Sequence, residues 1–451
     1  MSERSLIVKH ALTVLVGQLA VVSFGVADTI IAGRYDPQAL AILSVSAAIY
    51  VTVYVALLGI IQALLPIFAE LHGAKQHAQI GPVFRQSLYL WLGLTFAGAM
   101  LLISPGFLLK WTDVPVHLQE ESITYLSILA LALPPALFFR LFSSLSQSLG
   151  KPKMVTAIQI AALLIKIPLS IALTFGFGTW PSMGLMGCAL ATVLVNFTMM
   201  GFAMWMLRSH DTYRPCAIWQ QLEAPDAKEL MRMCRLGIPN AFSVTVEVTS
   251  FTLMALFISR LGITAAASHQ VASNMAALLY MVPLSFSIAI SARISYWKGA
   301  ANPQALTHAM RIGFQLTLGI ALSLASLLWL FHLQIANLYA KDDAVAQLAA
   351  QLLILIGFYH LVDALQTLCF FVLRSFKVTV APAFVYSIVL WGVGLTGGFQ
   401  LAYGGLGPIK PMGSPEAFWL MNIVGLVLVS GCLIWLIRYH HQRILRELTP
   451  V

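Results

Sequence analysis

Twelve long apolar runs constrain the fold of this 451-residue chain more than any other feature. Each run is about 20 residues or longer, which is the length that an α-helix needs to cross a bilayer. A lipid-exposed backbone must satisfy its own hydrogen bonds, so runs of this length are expected to be helical. Hydrophobic residues make up 59% of the chain and charged residues only 10%, a balance that excludes a soluble globular protein. The predicted spans are residues 11–33, 40–69, 84–108, 120–147, 153–176, 184–207, 232–260, 265–295, 305–331, 340–372, 379–402 and 415–438.

The distribution of lysine and arginine predicts the orientation of these spans. With the N-terminus in the cytoplasm, 19 of the 26 Lys and Arg residues lie in or beside cytoplasmic segments, and five lie outside. This asymmetry satisfies the positive-inside rule, so we expect both termini to be cytoplasmic. The first run is too long for the apolar part of a signal peptide, and we expect it to be retained. The net charge of +9 therefore reflects topology and does not indicate a nucleic-acid partner.

A weak internal repeat predicts two related halves. At an offset of 226 residues, Arg34 aligns with Arg260 and Lys151 aligns with Lys377. Six helices per half make these parallel repeats, related by an axis along the membrane normal. We therefore predict an all-α integral membrane protein with twelve transmembrane helices in two pseudo-symmetric six-helix lobes. The predicted bounds are 1–207 for the N-terminal lobe, 208–231 for a cytoplasmic linker and 232–451 for the C-terminal lobe.

Three acidic residues lie well inside predicted spans, namely Asp28, Glu247 and Asp363. A charge at the bilayer centre costs at least about 2.5 kcal/mol, so each carboxylate must pair, take a proton or coordinate a cation. The three acids do not align with one another at the 226-residue offset, which favours a coupling site in one half over a symmetric pore. Tyr359 precedes Asp363 by four residues and shares its helix face, so its hydroxyl could serve that carboxylate or a cation.

Other polar residues inside the spans leave their roles open. Lys166 lies mid-span, where its ammonium needs either a salt bridge to an acid or access to a water-filled cavity. The role of Arg140, which lies near the middle of the fourth predicted span, is open in the same way. Gln270 and Asn274 share a helix face and could line a polar substrate cavity or hold helices together. The five cysteines show neither metal-site nor disulfide spacing, so we expect no cofactor beyond a coupling ion.

These polar residues favour a transporter over other classes. An intramembrane aspartyl protease would carry a GxGD signature, which the sequence lacks, and neither an intramembrane Ser/His pair nor HExxH is present, so we predict no enzymatic activity. A passive channel does not need intramembrane acids whose positions differ between the two halves of the chain. The alternative within transport is a flippase for a lipid-linked sugar, although such proteins usually need more cavity arginines than Arg140 alone and often have fourteen spans.

Five collinear stretches resemble the multidrug and toxic compound extrusion (MATE) transporters, specifically their NorM-like bacterial branch. They are GVADTIIAG (25–33), LLPIFAELHGAKQ (64–76), QSLGKPK (147–153), ASHQVASNMAALLYMVPLSFSIAISARI (267–294) and YHLVDALQTLCFFVLRSFK (359–377). The resemblance implies secondary active export of cationic amphipathic compounds in exchange for H⁺ or Na⁺, by alternating access of two lobes. It also implies a multi-pass protein of the bacterial inner membrane, which we expect to be a monomer.

The resemblance also implies roles for individual residues. Glu247 and Asp363 match the acids of the family's C-lobe cation site, and Tyr359 matches the tyrosine of that site. Asp28 matches the first-span aspartate that is implicated in protonation. These four residues are the predicted cation-coupling set.

Lys166 and Ser170 depart from the family pattern, because the cation-site helix typically carries two asparagines at these positions. A fixed ammonium beside Glu247 and Asp363 would repel Na⁺ at the site that these acids could otherwise form. We therefore expect H⁺ to be favoured over Na⁺, or Lys166 to take the Na⁺ position until a carboxyl group is protonated. Together with Gln270 and Asn274, these two residues are the predicted substrate-cavity set.

Overall fold

A computed structural model describes residues 2–106, 116–178, 181–340, 342–405, 407–408 and 410–448. Within these ranges the regular structure consists of helices. The α-helices are α1 Glu3–Tyr35, α2 Pro37–Gln62, α3 Leu65–Gly73, α4 His77–Ile103, α5 Val116–Ala130, α6 Leu133–Ser148, α7 Pro152–Phe175, α8 Leu185–Ser209, α9 Ala227–Ser259, α10 Ile263–Gly299, α11 Pro303–Tyr339, α12 Asp343–Ser375, α13 Val380–Gly404, which contains two π-helical stretches, and α14 Glu416–Leu448.

These helices confirm the predicted all-α multi-pass fold. In the described residues eleven helical segments are long and apolar enough to cross a membrane, and the bent pair α5–α6 makes twelve if it is one span. The predicted span at 120–147 is therefore not one straight helix, since its two parts meet at 44°. Pro134 and Pro135 lie in the first turn of α6. Proline has no backbone N–H to bond to the preceding turn, which explains the break.

Packing divides the chain into two compact units. The N-unit is Thr13–Ala241, and the C-unit is Met1–Leu12 together with Phe242–Val451. The start of α1 belongs to the C-unit because Ile7 and Ala11 are fully buried in the hydrophobic core of that unit. Helix α9 is divided in the same way, with its first half in the N-unit. Both boundaries therefore fall inside helices and not in loops.

The start of α9 is held tightly in the N-unit. The side-chain amide of Asn240 donates to the backbone carbonyl of Gly59 on α2 at 2.6 Å. A Cβ atom at Gly59 would lie only 2.7 Å from the Cα of Ala241, so this close helix approach requires glycine. The compact units thus differ from the predicted lobes, whose bounds at 1–207 and 232–451 stay a prediction.

The polar segment between α8 and α9 is clamped by Arg85 of α4, whose side chain is 3% exposed. Its guanidinium donates to both carboxylate oxygens of Glu223 and to the backbone carbonyl of Ala217, the latter at 2.6 Å. Bidentate pairing of this kind is charge-assisted and directional. The hydrogen bonds from Arg85 lower the pKa of Glu223, so the carboxylate is ionised at neutral pH.

We expect Arg85→Gln to loosen this segment while the spans stay folded. Loss of the charge-assisted hydrogen bonds should raise the rate of limited proteolysis between α8 and α9 about tenfold at neutral pH. Because the folded pKa of Glu223 lies below the usual value of 4.5, the Arg85–Glu223 pair is fully present above that value and is lost as pH falls through the lowered pKa. The difference from wild type should therefore shrink in strong acid, with pepsin as the protease, because only the hydrogen bonds from Arg85 to the backbone remain there.

The matched control is Arg214→Gln, since Arg214 is 73% exposed in the same segment and pairs with Asp211 on the surface. This variant should be cleaved like wild type. Cleavage of Arg85→Gln at the wild-type rate at neutral pH would show that the clamp does not hold the segment.

Candidate functional site

The structure distributes the predicted site residues between the two units. Asp28, Lys166 and Ser170 belong to the N-unit, and Glu247, Gln270, Asn274, Tyr359 and Asp363 belong to the C-unit.

Lys166 and Asp28 form a buried ion pair in the N-unit. The Nζ atom of Lys166 lies 2.9 Å from Oδ2 of Asp28 and also donates to the hydroxyl of Thr192. Ser170 Oγ donates to the other oxygen, Oδ1, of Asp28 at 3.5 Å. Lys166 and Ser170 are fully buried, and Asp28 is 9% exposed. A buried charge is tolerated when it is paired and hydrogen-bonded, so each charge here depends on the other.

Three helices bring this pair together. Helix α7 supplies Lys166 and Ser170, which are four residues apart and therefore share a face. Helix α8 packs along α7 and supplies Thr192, while α1 supplies Asp28. Pro168 lies between the two α7 residues and removes one rung of the helix hydrogen-bond ladder.

A cavity of about 420 Å³ lies beside the ion pair, within the N-unit. This volume is in the range of small-molecule binding sites, which are mostly apolar with a few placed polar groups. Apolar side chains such as Phe24, Phe139 and Met199 form much of its wall. Its larger polar lining residues are Asp28, Tyr50, Tyr54, Tyr125, Arg140, Lys166, Thr192 and Asn196.

Arg140 is the second basic residue at this cavity. Its Nε donates to the Tyr54 hydroxyl at 2.8 Å, and its guanidinium carbon lies 5.9 Å from the centre of the Tyr54 ring. The Tyr54 ring stacks on Tyr50 with ring centres 5.8 Å apart. The sequence left open whether Arg140 pairs with an acid or reaches a cavity. In the structure this arginine lines a cavity of the N-unit.

Glu247 and Asp363 form a second candidate site, in the C-unit. The two carboxylates lie close enough for their charges to interact. The Tyr386 hydroxyl donates to Glu247, and Tyr280 shares a hydrogen bond with Thr367. We call these five residues, with Tyr359, the acid–tyrosine cluster. It supplies two carboxylates and several hydroxyl oxygens, which are ligands for a hard cation or a proton.

Tyr359 is placed as the sequence predicts, one helical turn before Asp363. It is 6% exposed and interacts electrostatically with both Asp363 and Glu247. Its ring packs edge-on against Trp419, with ring centres 5.3 Å apart, which limits its movement. Sequence reasoning missed Tyr280, because a tyrosine on a different apolar helix carries no pattern that links it to the acids.

The structure gives Lys166 both of the options that the sequence left open, a salt bridge to an acid and a place in the wall of a cavity. Its carboxylate partner is Asp28 of the same unit, because α7 packs beside α8 and turns the Lys166 face towards α1. The expectation that Lys166 repels Na⁺ from Glu247 and Asp363 stays a prediction.

Gln270 and Asn274 share a face of α10, as predicted. The Gln270 side-chain amide donates to Asn274 Oδ1 at 3.0 Å, and both residues are exposed. Their role in lining a substrate cavity stays a prediction. In the described part of the chain, no group of three or more His, Cys, Asp or Glu residues could hold a metal ion, so Na⁺ at the two acids would need hydroxyl ligands as well.

The chain is similar to known proteins both in sequence and in fold. Residues 14–172 and 239–399 match the family model described as MatE. The chain is 36% identical over 434 residues to a probable multidrug resistance protein NorM of Aromatoleum aromaticum, covering 96% of this chain and 94% of that protein. It is 30% identical over 424 residues to the multidrug resistance protein NorM of Vibrio cholerae, covering 94% and 93%. The fold is similar to a crystal structure of MATE in the bent conformation, with a TM-score of 0.89 at 15% identity over 99% of this chain and 97% of that one.

Proposed function

The chain belongs to the MATE family, and from this membership we propose that it is a secondary active multidrug exporter driven by cation antiport. It exports cationic amphipathic compounds through alternating access of two lobes, with H⁺ favoured over Na⁺. The family consists of transporters, so the protein is not an enzyme, in agreement with the sequence. It acts in the bacterial inner membrane as a monomer, with both termini cytoplasmic, and needs no cofactor beyond the coupling ion.

The observation that carries the antiport proposal is the Lys166–Asp28 pair at the wall of the cavity. A cationic substrate must compete with the Lys166 ammonium for Asp28, whose carboxylate is the only one among the described residues that line the cavity. A proton on Asp28 removes that carboxylate's charge and leaves the ammonium uncompensated, which repels a cationic substrate. Proton and substrate therefore favour different states of one site, which is the requirement for antiport.

The preference for H⁺ rests on the same pair. Lys166 already supplies the positive charge that a Na⁺ ion would bring to Asp28, so this site takes a proton more readily than a second cation. The acid–tyrosine cluster brings the charges of Glu247 and Asp363 into interaction, and a proton shared by the two carboxylates relieves their repulsion. We propose that it shares the coupling cycle with the N-unit pair.

Everted membrane vesicles test this function directly. A pH gradient alone should drive transport of a cationic dye, and a Na⁺ gradient alone should not. Asp28→Asn should lower the rate about 10- to 100-fold. The control is Asp211→Asn, since the Asp211 side chain is 84% exposed, and this variant should transport like wild type.

Two results would overturn parts of the proposal. Transport driven by Na⁺ alone would show that Lys166 does not select the proton. A dye flux that responds to neither gradient would instead favour the flippase for a lipid-linked sugar.

A further inference from the structure

Arg374 is a buried charge of the C-unit that has no carboxylate partner among the described residues. It is 4% exposed, and its Nε atom is buried without a hydrogen-bond partner. None of the ion pairs in the described part of the chain involves its guanidinium. A buried charge is costly unless it is paired, so an arginine that is kept here without an acid indicates a function.

Two features of α12 stabilise this charge without neutralising it. The guanidinium carbon lies 3.9 Å from the centre of the Phe371 ring, which is a cation–π contact. Arg374 also lies in the last turn of α12, where the helix dipole favours a positive charge. Because a guanidinium keeps its proton in proteins, the positive charge at this end of the helix is permanent.

A stripe of buried polar side chains joins this charge to the acid–tyrosine cluster. Four buried residues of α12 follow one another at spacings of four, four and seven and so share one helix face, namely Tyr359, Asp363, Thr367 and Arg374. From α10, Tyr280 shares a hydrogen bond with Thr367 and interacts electrostatically with both carboxylates of the cluster and with Arg374. The polar stripe therefore runs from the carboxylates to the end of α12, where it meets a fixed positive charge.

We propose that Arg374 is an electrostatic barrier at the end of this polar stripe, which stops a coupling cation at Glu247 and Asp363 from leaking along α12. A proton or Na⁺ that moves along the stripe approaches the guanidinium and is repelled, as a fixed charge excludes ions from a pore. The predicted orientation places this end of α12 in the cytoplasm. The coupling ion is then released to that side only when the transporter changes conformation, so the gradient is not dissipated without export. The inference rests on the proposed antiport function and adds how the ion is confined.

A proton-leak measurement without substrate tests this barrier. The purified full-length protein is reconstituted into liposomes that contain the pH-sensitive dye pyranine, and K⁺ with valinomycin balances the charge that crosses. After a pH jump, Arg374→Met should leak about 10- to 20-fold faster than wild type, as expected when the repulsion between two unit charges about 10 Å apart is removed at an effective dielectric constant of about 20. Arg374→Gln also removes the charge and should leak in the same way. Arg374→Lys keeps the charge and should be as tight as wild type.

Two further variants show where the proton passes. Asp363→Asn in the Arg374→Met background removes the carboxylate of the stripe and should bring the leak back towards the wild-type rate. The matched control is Arg311→Met, the same substitution at an exposed position of the same unit, which should not leak. Thermal unfolding close to that of wild type shows that the neutral variants are folded, as expected when an unpaired buried charge is removed. Should methionine prevent folding, Arg374→Gln takes its place in the series.

The outcomes separate this inference from the proposed function. A wild-type leak rate in the folded neutral variants would overturn the barrier. A leak in Arg374→Lys equal to that in Arg374→Met, or a leak in Arg374→Met with a tight Arg374→Gln, would assign the arginine a packing role and overturn it too. A leak that Asp363→Asn does not lower would show that the proton passes elsewhere, which contradicts the inference. Failure of export is seen separately, as dye flux in wild-type vesicles that responds to neither gradient.

Discussion

Replacement of Lys166 by methionine is expected to destabilise the protein by about 3–5 kcal/mol, because it leaves Asp28 buried without its partner. Methionine has a similar volume and no charge, so the loss reports the ion pair and not a cavity. The double variant Lys166→Met with Asp28→Asn removes both charges and should recover most of the stability. Thermal unfolding of the detergent-purified protein measures both effects, and the single variant Asp28→Asn completes the double-mutant cycle.

The control for this cycle is Lys153→Met, the same substitution at an exposed position of the same helix. It should unfold like wild type. A Lys166→Met protein that unfolds at the wild-type temperature, or a double variant less stable than the single one, would show that the two charges do not depend on each other.

The second large effect is expected at the acid–tyrosine cluster. Glu247→Gln and Asp363→Asn should each lower gradient-driven efflux about 10- to 100-fold, because a cation can no longer bind between two carboxylates. Neither variant should lower the unfolding temperature, since each removes a like charge from beside its neighbour. Efflux from proteoliposomes and thermal unfolding together distinguish lost coupling from lost folding.

Asp343→Asn is the matched control for the cluster, because Asp343 is exposed in the first turn of the same helix as Asp363. Its efflux should equal that of wild type. Wild-type efflux in both Glu247→Gln and Asp363→Asn would exclude the cluster from the coupling cycle.

The fold was largely predictable because a backbone in lipid must satisfy all of its hydrogen bonds internally, which favours helices. Runs of apolar residues long enough to span a bilayer identify the helices, and eleven helical segments of the described residues are long and apolar enough to cross a membrane. The bend before α6 is the instructive exception. Pro134 and Pro135 follow Leu133, and their missing N–H groups break the helix at this point. Because both prolines lie inside an apolar run, hydrophobicity alone does not reveal the break.

The composition of the candidate sites was predictable, but the pairing within them was not. Burial cost alone indicates that Asp28, Glu247, Asp363 and Lys166 need partners. Which acid neutralises Lys166 depends on how α7 packs with α8 and α1, and one sequence does not contain that information. The same limit applies to Arg140, whose neighbour Tyr54 lies on another helix.

Under the proposed function, proton and substrate compete at Asp28 beside Lys166. The most direct test is the dissociation constant of a cationic fluorescent dye on purified protein, measured across a pH series with and without Na⁺. We predict that the dissociation constant rises as pH falls, does not respond to Na⁺, and depends much less on pH in Asp28→Asn. An affinity that follows Na⁺, or a pH dependence that is the same in wild type and Asp28→Asn, would contradict the claim.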